Sequence, residues 1–168
     1  MLVRQRVHRT SSGSGEISMH FRRATYADLP AIVHMLADDD LGSAREKDQT
    51  PLPDSYGHAF ADIENAPHHE LIVAELGGQV VGTLHLIFLP SLSYQGGLRA
   101  QVESVRVDKK FQNQKIGSQM MGYAIQRAKE RGAHLMQLTT HGTRVDAHRF
   151  YERLGFKASH LGMKLNLK

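Results

Sequence analysis

The chain has 168 residues, 40% of them hydrophobic, with no cysteine and no tryptophan. That suffices for one domain with a true core, and the missing thiols exclude a disulfide framework, a thiolate metal site and a cysteine acyl-enzyme. The net charge of +4 suits an anionic partner, nucleic acid or a phosphate-rich small molecule; no aromatics interleave with the basic clusters to stack bases, which weighs against nucleic acid, and no apolar run approaches the ~20 residues of a membrane helix.

Residues 1–18 carry Arg4, Arg6 and Arg9 and then the linker-like run Ser11-Ser12-Gly13-Ser14-Gly15. Without periodicity or the apolar core of a secretory signal, they read as a flexible basic extension, and the domain as 19–168. A first strand is expected at 18–23. Thr25 and Asp28 form a capping box, Pro30 falls in the tolerant first turn, and Leu29, Ile32, Val33, Leu36 and Ala37 form the apolar stripe of a first helix. Asp38-Asp39-Asp40 should end it, because carboxylates oppose the dipole at a C-terminus. A proline-bearing loop then leads to a second helix at 55–65, with Tyr56, Ala59, Phe60 and Ile63 on one side.

Residues 71–76 and 79–89 flank Gly77-Gly78 and read as a hairpin. A strand at 99–107 follows, in which simple alternation puts Glu103, Val105 and Val107 on one face. After the polar, basic loop 108–115, apolar residues recur at Ile116, Met120, Ala124 and Ala128, with Met121 and Ile125 beside them. That is a helix with one buried stripe, stopped at Arg131-Gly132. A strand feeding a helix in this way turns unpaired backbone N–H groups and a positive dipole end outward, where they suit a phosphate. A strand at 134–140, a short helix at 146–153 and a closing antiparallel pair, 156–159 with 163–167, complete the expected order: an α/β chain with a mixed, mostly antiparallel central sheet flanked by helices.

Two stretches resemble the GNAT superfamily of acyl-CoA-dependent N-acetyltransferases. Gln112-Asn113-Gln114-Lys115-Ile116-Gly117 is similar to its Arg/Gln-x-x-Gly-x-Gly/Ala signature, with lysine in place of the middle glycine. Ala147-His148-Arg149-Phe150-Tyr151-Glu152-Arg153-Leu154-Gly155-Phe156 is similar to its Ala-x-x-hydrophobic-Tyr-x-x-x-Gly-Phe ending. The resemblance implies the GNAT fold and acetyl-CoA as cosubstrate. The backbone of Gln112, Asn113, Gln114, Lys115, Ile116, Gly117 and Ser118 would cradle the pyrophosphate, and that of Val105, Arg106 and Val107 would pair with the pantetheine arm as an added strand. A positive φ at Lys115 would cost about 1 kcal/mol or more. Arg144 stands where the family often has asparagine and would reach a phosphate instead.

By the same resemblance Glu103 is the general base, acting through a water, and Tyr151 the general acid for the departing thiolate. Without the resemblance, Glu103 reads as an edge or bulge carboxylate paired with Arg99 or Arg106, and Tyr151 as a core tyrosine. His68, His69, His141, His148 and His160 lack a zinc spacing, so no metal is expected. The run from Asp146 to Tyr151, with Ser159-His160, also resembles the tail of aminoalkylphosphonate N-acetyltransferases. The expected activity is direct acetyl transfer to the primary amine of a small molecule, in the cytoplasm. A protein N-terminal or lysine acetyltransferase and a non-catalytic acyl-CoA-binding module stay open, as does a homodimer.

Overall fold

The structure is a computed structural model and describes residues 3–5, 18–38 and 40–167. Its strands are β1 Val3–Gln5, β2 Met19–Arg23, β3 His69–Leu76, β4 Gln79–Pro90, β5 Leu98–Val107 and β6 Ala133–Leu138. They form one sheet in the order β1-β2-β3-β4-β5-β6. Neighbours are antiparallel except β5 and β6, which are parallel. The helices are α1 Leu29–Ala37, the single turn α2 Asp40–Ser43, α3 Asp54–Asn65, the turn α4 Ser93–Gly96, α5 Ile116–Glu130 and α6 Val145–Arg153. Parallel neighbours cannot be joined by a tight turn, and α5 is the crossover that joins β5 to β6. The expected mixed sheet with flanking helices is the one observed.

Gly77 and Gly78, at φ 58° and 83°, make the β3–β4 turn with the positive φ such a hairpin requires. One face of the sheet buries Ile72, Ala74, Leu84, Leu86, Phe88, Ala100 and Val102 against Ile116, Met120, Met121, Ala124 and Ala128 of α5. The helix approaches closely at Gly82, where an added Cβ would stand 2.5 Å from Met120 Sδ and 3.2 Å from the Arg106 carbonyl. Gly82→Val should therefore destabilise by about 1–3 kcal/mol through overpacking, read as a lower melting temperature; an unchanged value would show that α5 has room to withdraw.

Opposite α5, helix α1 lies over β4 and β5 and helix α3 over β3. The Thr25–Asp28 capping box forms, with Thr25 N and Oγ1 donating to Asp28 Oδ2 at 2.7 and 2.9 Å. Arg22 adds a two-point contact to the same carboxylate at 2.7 and 2.9 Å, which holds Asp28 well below the usual carboxylate range despite its burial. In α1, Met35 is buried with Leu29, Ile32 and Val33, while Leu36 and Ala37 are half-buried; in α3, Phe60 is buried and Ala59 is exposed.

The two ends of the chain depart from expectation. Val3–Gln5, inside the stretch expected to be a flexible extension, pairs with Met19–Phe21 along the sheet edge; residues 1–2 and 6–17 lie outside the described residues. The closing pair at 156–159 and 163–167 does not form. Phe156 is the last side chain packed on the core, and beyond it Leu161, Met163, Leu165 and Leu167 are 97%, 96%, 84% and 88% exposed. Alternation alone does not make a strand, because the backbone must also find an edge to pair with. Each of these side chains left in water forgoes about 1.5–3 kcal/mol of burial.

Candidate active site

The site begins with an irregularity in β5. Thr83 pairs with Arg106 and His85 with Glu103, so Leu84 faces an extra residue on the other strand. Ser104 absorbs it at φ 53°, a β-bulge with a residue in the left-handed region. This overturns the simple alternation expected of the strand. Beyond the bulge Val105 and Val107 turn to the α5 side and pack with the core, while Arg106 lies on the same face as Glu103. An inserted residue reverses the parity of everything after it.

The β5–β6 ladder ends at Val102 and Leu138, so β5 runs on past its parallel partner. Asp108 N–H donates to Val81 O at 3.0 Å, toward β4. Since successive backbone groups point to opposite edges, the N–H and C=O of Val107 and Val105 face away from β4, where the carbonyls accept from side chains, Val105 O from Arg106 Nη1 at 2.9 Å and Val107 O from Gln112 Nε2 at 3.5 Å. That side meets the start of α5. Gln112, Asn113, Gln114 and Lys115 are exposed, with Asn113 at φ 63° and Lys115 at φ 61°. The residue standing where the resembled family has glycine thus adopts the conformation that favours glycine. Lys115 is the N-cap of α5, without a side-chain cap. The amides of Ile116, Gly117 and Ser118 precede the first helical bond, Gln119 N–H to Lys115 O at 3.1 Å, and so point out of the helix end.

Gly117 carries a second message. A Cβ built on it would meet only ordinary contacts, 3.5 Å to Phe150 and 3.8 Å to Val107, and its φ is not among the positive ones. Neither packing nor backbone conformation within the chain requires glycine there. Lys109 Nζ is paired with Asp38 Oδ1, which ties the loop to the end of α1.

Tyr151 sits on α6 between Phe150 and Phe156, its ring edge-on to both at 5.1 and 5.9 Å. Burial raises its hydroxyl pKa above 10.0; the charges of Arg144 and Arg106 act against that, and the charge of Glu103 with it. Strand, loop and helix thus bring Glu103, Arg106 and Arg144 within electrostatic reach of Tyr151. His148 is taken up structurally, its Nε2–H donating to His141 O at 3.1 Å.

Two features were missed in the sequence. Gln137 Nε2 donates to Gln101 Oε1 at 2.8 Å, and Gln101 Nε2 donates to Glu103 Oε1, so a side-chain relay from β6 fixes the carboxylate. Across the sheet from Glu103, His85 shares a hydrogen bond with His69, Nε2 to Nδ1, at 3.0 Å. Burial, and then the neighbouring imidazole, push His85 down to about 4. The only signal available for the relay was Gln-x-Glu in a strand, whose side chains share a face. None existed for His85, which is 18 residues from Glu103 in sequence and beside it only through register. A shallow cavity of about 450 Å³ on the α1 side, lined by Asp28, His34, Met35, Asp108 and Lys110 among others, does not include these groups.

Residues 32–156 match the model of the acetyltransferase (GNAT) family. The chain is 36% identical over 139 residues to an aminoalkylphosphonate N-acetyltransferase of Salmonella typhimurium, a match covering 83% of this chain and 85% of that protein. It superposes with a TM-score of 0.86 on a protein of Bacillus halodurans C-125 described as a transcriptional regulator, at 53% identity over 89% of this chain and 99% of the other. It shares the fold of glucosamine-6-phosphate N-acetyltransferase of Arabidopsis thaliana, with TM-score 0.73 and 18% identity over 89% and 99% of the two chains. The matched region holds the bulged strand, the open helix end and Tyr151, and the chain belongs to the acetyltransferase (GNAT) family, as an N-acetyltransferase.

Proposed function

We propose that this N-acetyltransferase moves the acetyl group of acetyl-CoA directly to the primary amine of a small cytoplasmic molecule that also carries an anionic group of the phosphonate kind. The observation that carries the reading is the edge of β5 at Val105 and Val107, past the end of its ladder with β6, running into the N-terminal amides of α5. An extended, amide-bearing arm ending in phosphates fits that edge and that helix end in sequence. Gly117 supports the fit, since nothing in the chain itself asks for glycine at the point of closest backbone approach. Lys115 and Arg144 add positive charge beside the phosphates.

Acetyl-CoA supplies the activated thioester. Glu103, held by the Gln101 relay, takes a proton from the acceptor ammonium through a water. His85 is neutral beside it and so adds no charge that would repel an ammonium. Backbone amides past the bulge polarise the thioester carbonyl. The amine nitrogen forms its bond to the carbonyl carbon, the carbon–sulfur bond breaks, and the Tyr151 hydroxyl gives its proton to the leaving thiolate, while the second proton lost by the nitrogen as it becomes an amide restores the phenol. Arg106, on the face of Glu103, favours an acceptor with an anionic end. The substrate named for the Salmonella relative is of that class.

Acetyl-CoA should raise the melting temperature, because it binds the folded state alone, and desulfo-CoA should do so as well, since the phosphates anchor it. Gly117→Glu should abolish both shifts by setting a carboxylate where phosphate belongs. Release of free CoA should then be fastest with aminoalkylphosphonates in a panel of small amines. A folded protein with no shift at millimolar cofactor would sink the reading. Equal turnover on neutral amines would remove its anionic part.

A further inference from the structure

The face of β5 that carries Glu103 carries a second charged group further back along the strand. Leu98, Ala100 and Val102 pack into the core under α5, so Arg99, Gln101 and Glu103 stand together on the opposite face. Register sets Ile87 of β4 across from Gln101, and Leu89 of β4 and Leu135 of β6 on either side of Arg99. All of these side chains are half-buried, whereas the other face of the same strands is sealed. Arg99 Nε is shut off from solvent and has no hydrogen-bond partner. Among the described residues the Arg99 guanidinium meets no carboxylate, while Arg22, Arg23, Arg127 and Arg131 each meet one at 3.4 Å or less. Its neighbour Gln101 is already committed, donating to Glu103 and accepting from Gln137. A buried donor on a permanently charged group, left without an acceptor, is costly and asks for an anion.

We propose that Arg99 is a second anion subsite of the acceptor site. It takes the far, phosphonate-kind end of an acceptor whose amine lies at Glu103 and whose apolar chain runs along Ile87 and Leu89, a subsite that rests on the reading of the acceptor as an aminoalkyl anion. Four residues separate Arg99 from Glu103, about 13 Å along the strand. Arg106 lies in the other direction, past the bulge, and register with His85 and Thr83 puts it only about 7 Å from Glu103. Short aminoalkyl anions therefore reach Arg106, and long ones lie the other way and reach Arg99. The planar fork of an arginine, Nε with one Nη, matches two oxygens of a phosphonate at once. The apolar side chains flanking it suit the methylenes of a long spacer and would give nothing to a second polar group there.

Chain length is the test. The parent should acetylate both aminoethylphosphonate and aminohexylphosphonate. Its kcat/KM for aminohexylphosphonate should exceed that for aminohexanol, which has the chain without the charge, at least tenfold. Arg99→Gln should lower the ratio of kcat/KM for aminohexyl- to aminoethylphosphonate at least tenfold, mostly through KM, as expected when hydrogen bonds to a charged group are lost. Arg99→Lys should restore part of that ratio, and Lys129→Gln, at an exposed position on α5, should leave it as in the parent. An unchanged ratio in Arg99→Gln would overturn the subsite. A parent that acetylates aminoethylphosphonate but not aminohexylphosphonate would also overturn it, with the proposed function left standing; a parent that acetylates neither would take both down. If Arg99→Gln loses its melting shift with acetyl-CoA and so is not folded, the parent's comparison of aminohexylphosphonate with aminohexanol decides, and equal turnover of the two overturns the subsite.

Discussion

Tyr151→Phe should lower kcat about 100-fold, the low end of the ~10²–10⁴-fold typical of a general acid, because a thiolate already leaves readily. The ring stays, and with it the edge-on contacts to Phe150 and Phe156, so stability and the melting shift with acetyl-CoA should be nearly unchanged. Only the proton is lost. Burial raises the hydroxyl above its ordinary 10.0, even with Arg144 and Arg106 nearby, so the parent phenol is protonated throughout the neutral range. Any alkaline fall in rate below about pH 10 must then come from another group. A fall in kcat without a change in cofactor affinity marks an interaction made in the transition state alone. If the variant turns over like the parent on its best amine, Tyr151 is a packing residue and water protonates the thiolate.

Glu70→Gln should be the most damaging single change to stability among the charged residues of the sheet. Its carboxylate is 2% exposed and meets Arg127 at 2.9 Å through two nitrogens, Arg131 at 3.2 Å and Arg23 at 3.4 Å. Arg131 also lies over the Phe88 ring at 4.4 Å. One carboxylate thus pins the C-terminal turn of α5 and the end of β2 to the start of β3. Burial alone would raise the Glu70 pKa; the hydrogen bond from Arg127 and the surrounding guanidinium charges outweigh it and hold the group below its ordinary 4.5.

Removing one partner of a buried pair costs about 3–5 kcal/mol when the charge left behind is buried. Here the charges left behind are arginines with 28–54% of their side chains exposed, so about 2–3 kcal/mol is expected, or roughly 5–10 °C in Tm. The sign with pH follows from a depressed carboxylate. Its contribution is complete above the unfolded-state pKa and is lost as pH falls through the lower folded-state value. The gap between parent and Glu70→Gln should accordingly be full at pH 7 and close progressively below about pH 4.5. A gap that is the same at pH 7 and pH 3, measured by urea unfolding, would show that Glu70 acts through shape and not charge.

What the sequence determined by itself was local. The positive-φ turn at Gly77-Gly78, the capping box at Thr25 and Asp28, the α5 stripe from Ile116 to Ala128 and the stop at Gly132 follow from short-range periodicity and backbone preference, and each is found in place. The phosphate-suited helix end was legible for the same reason, since its amides are orphaned by the helix geometry whatever lies around them. Tertiary structure decided the rest. The bulge at Ser104 carries no residue signature, for serine is not a residue that demands positive φ, and its existence depends on the register with β4. That one insertion set Arg106 beside Glu103 and turned Val105 and Val107 into the core. His85 lies beside Glu103 by register, and Gln137 acts on it through Gln101, across strands whose ladders join residues far apart in sequence. The tail shows the converse. Its alternation is a local property and was plain at once, but whether it becomes a strand depends on an edge with which it can pair, and a single chain's pattern of residues does not specify where that edge is.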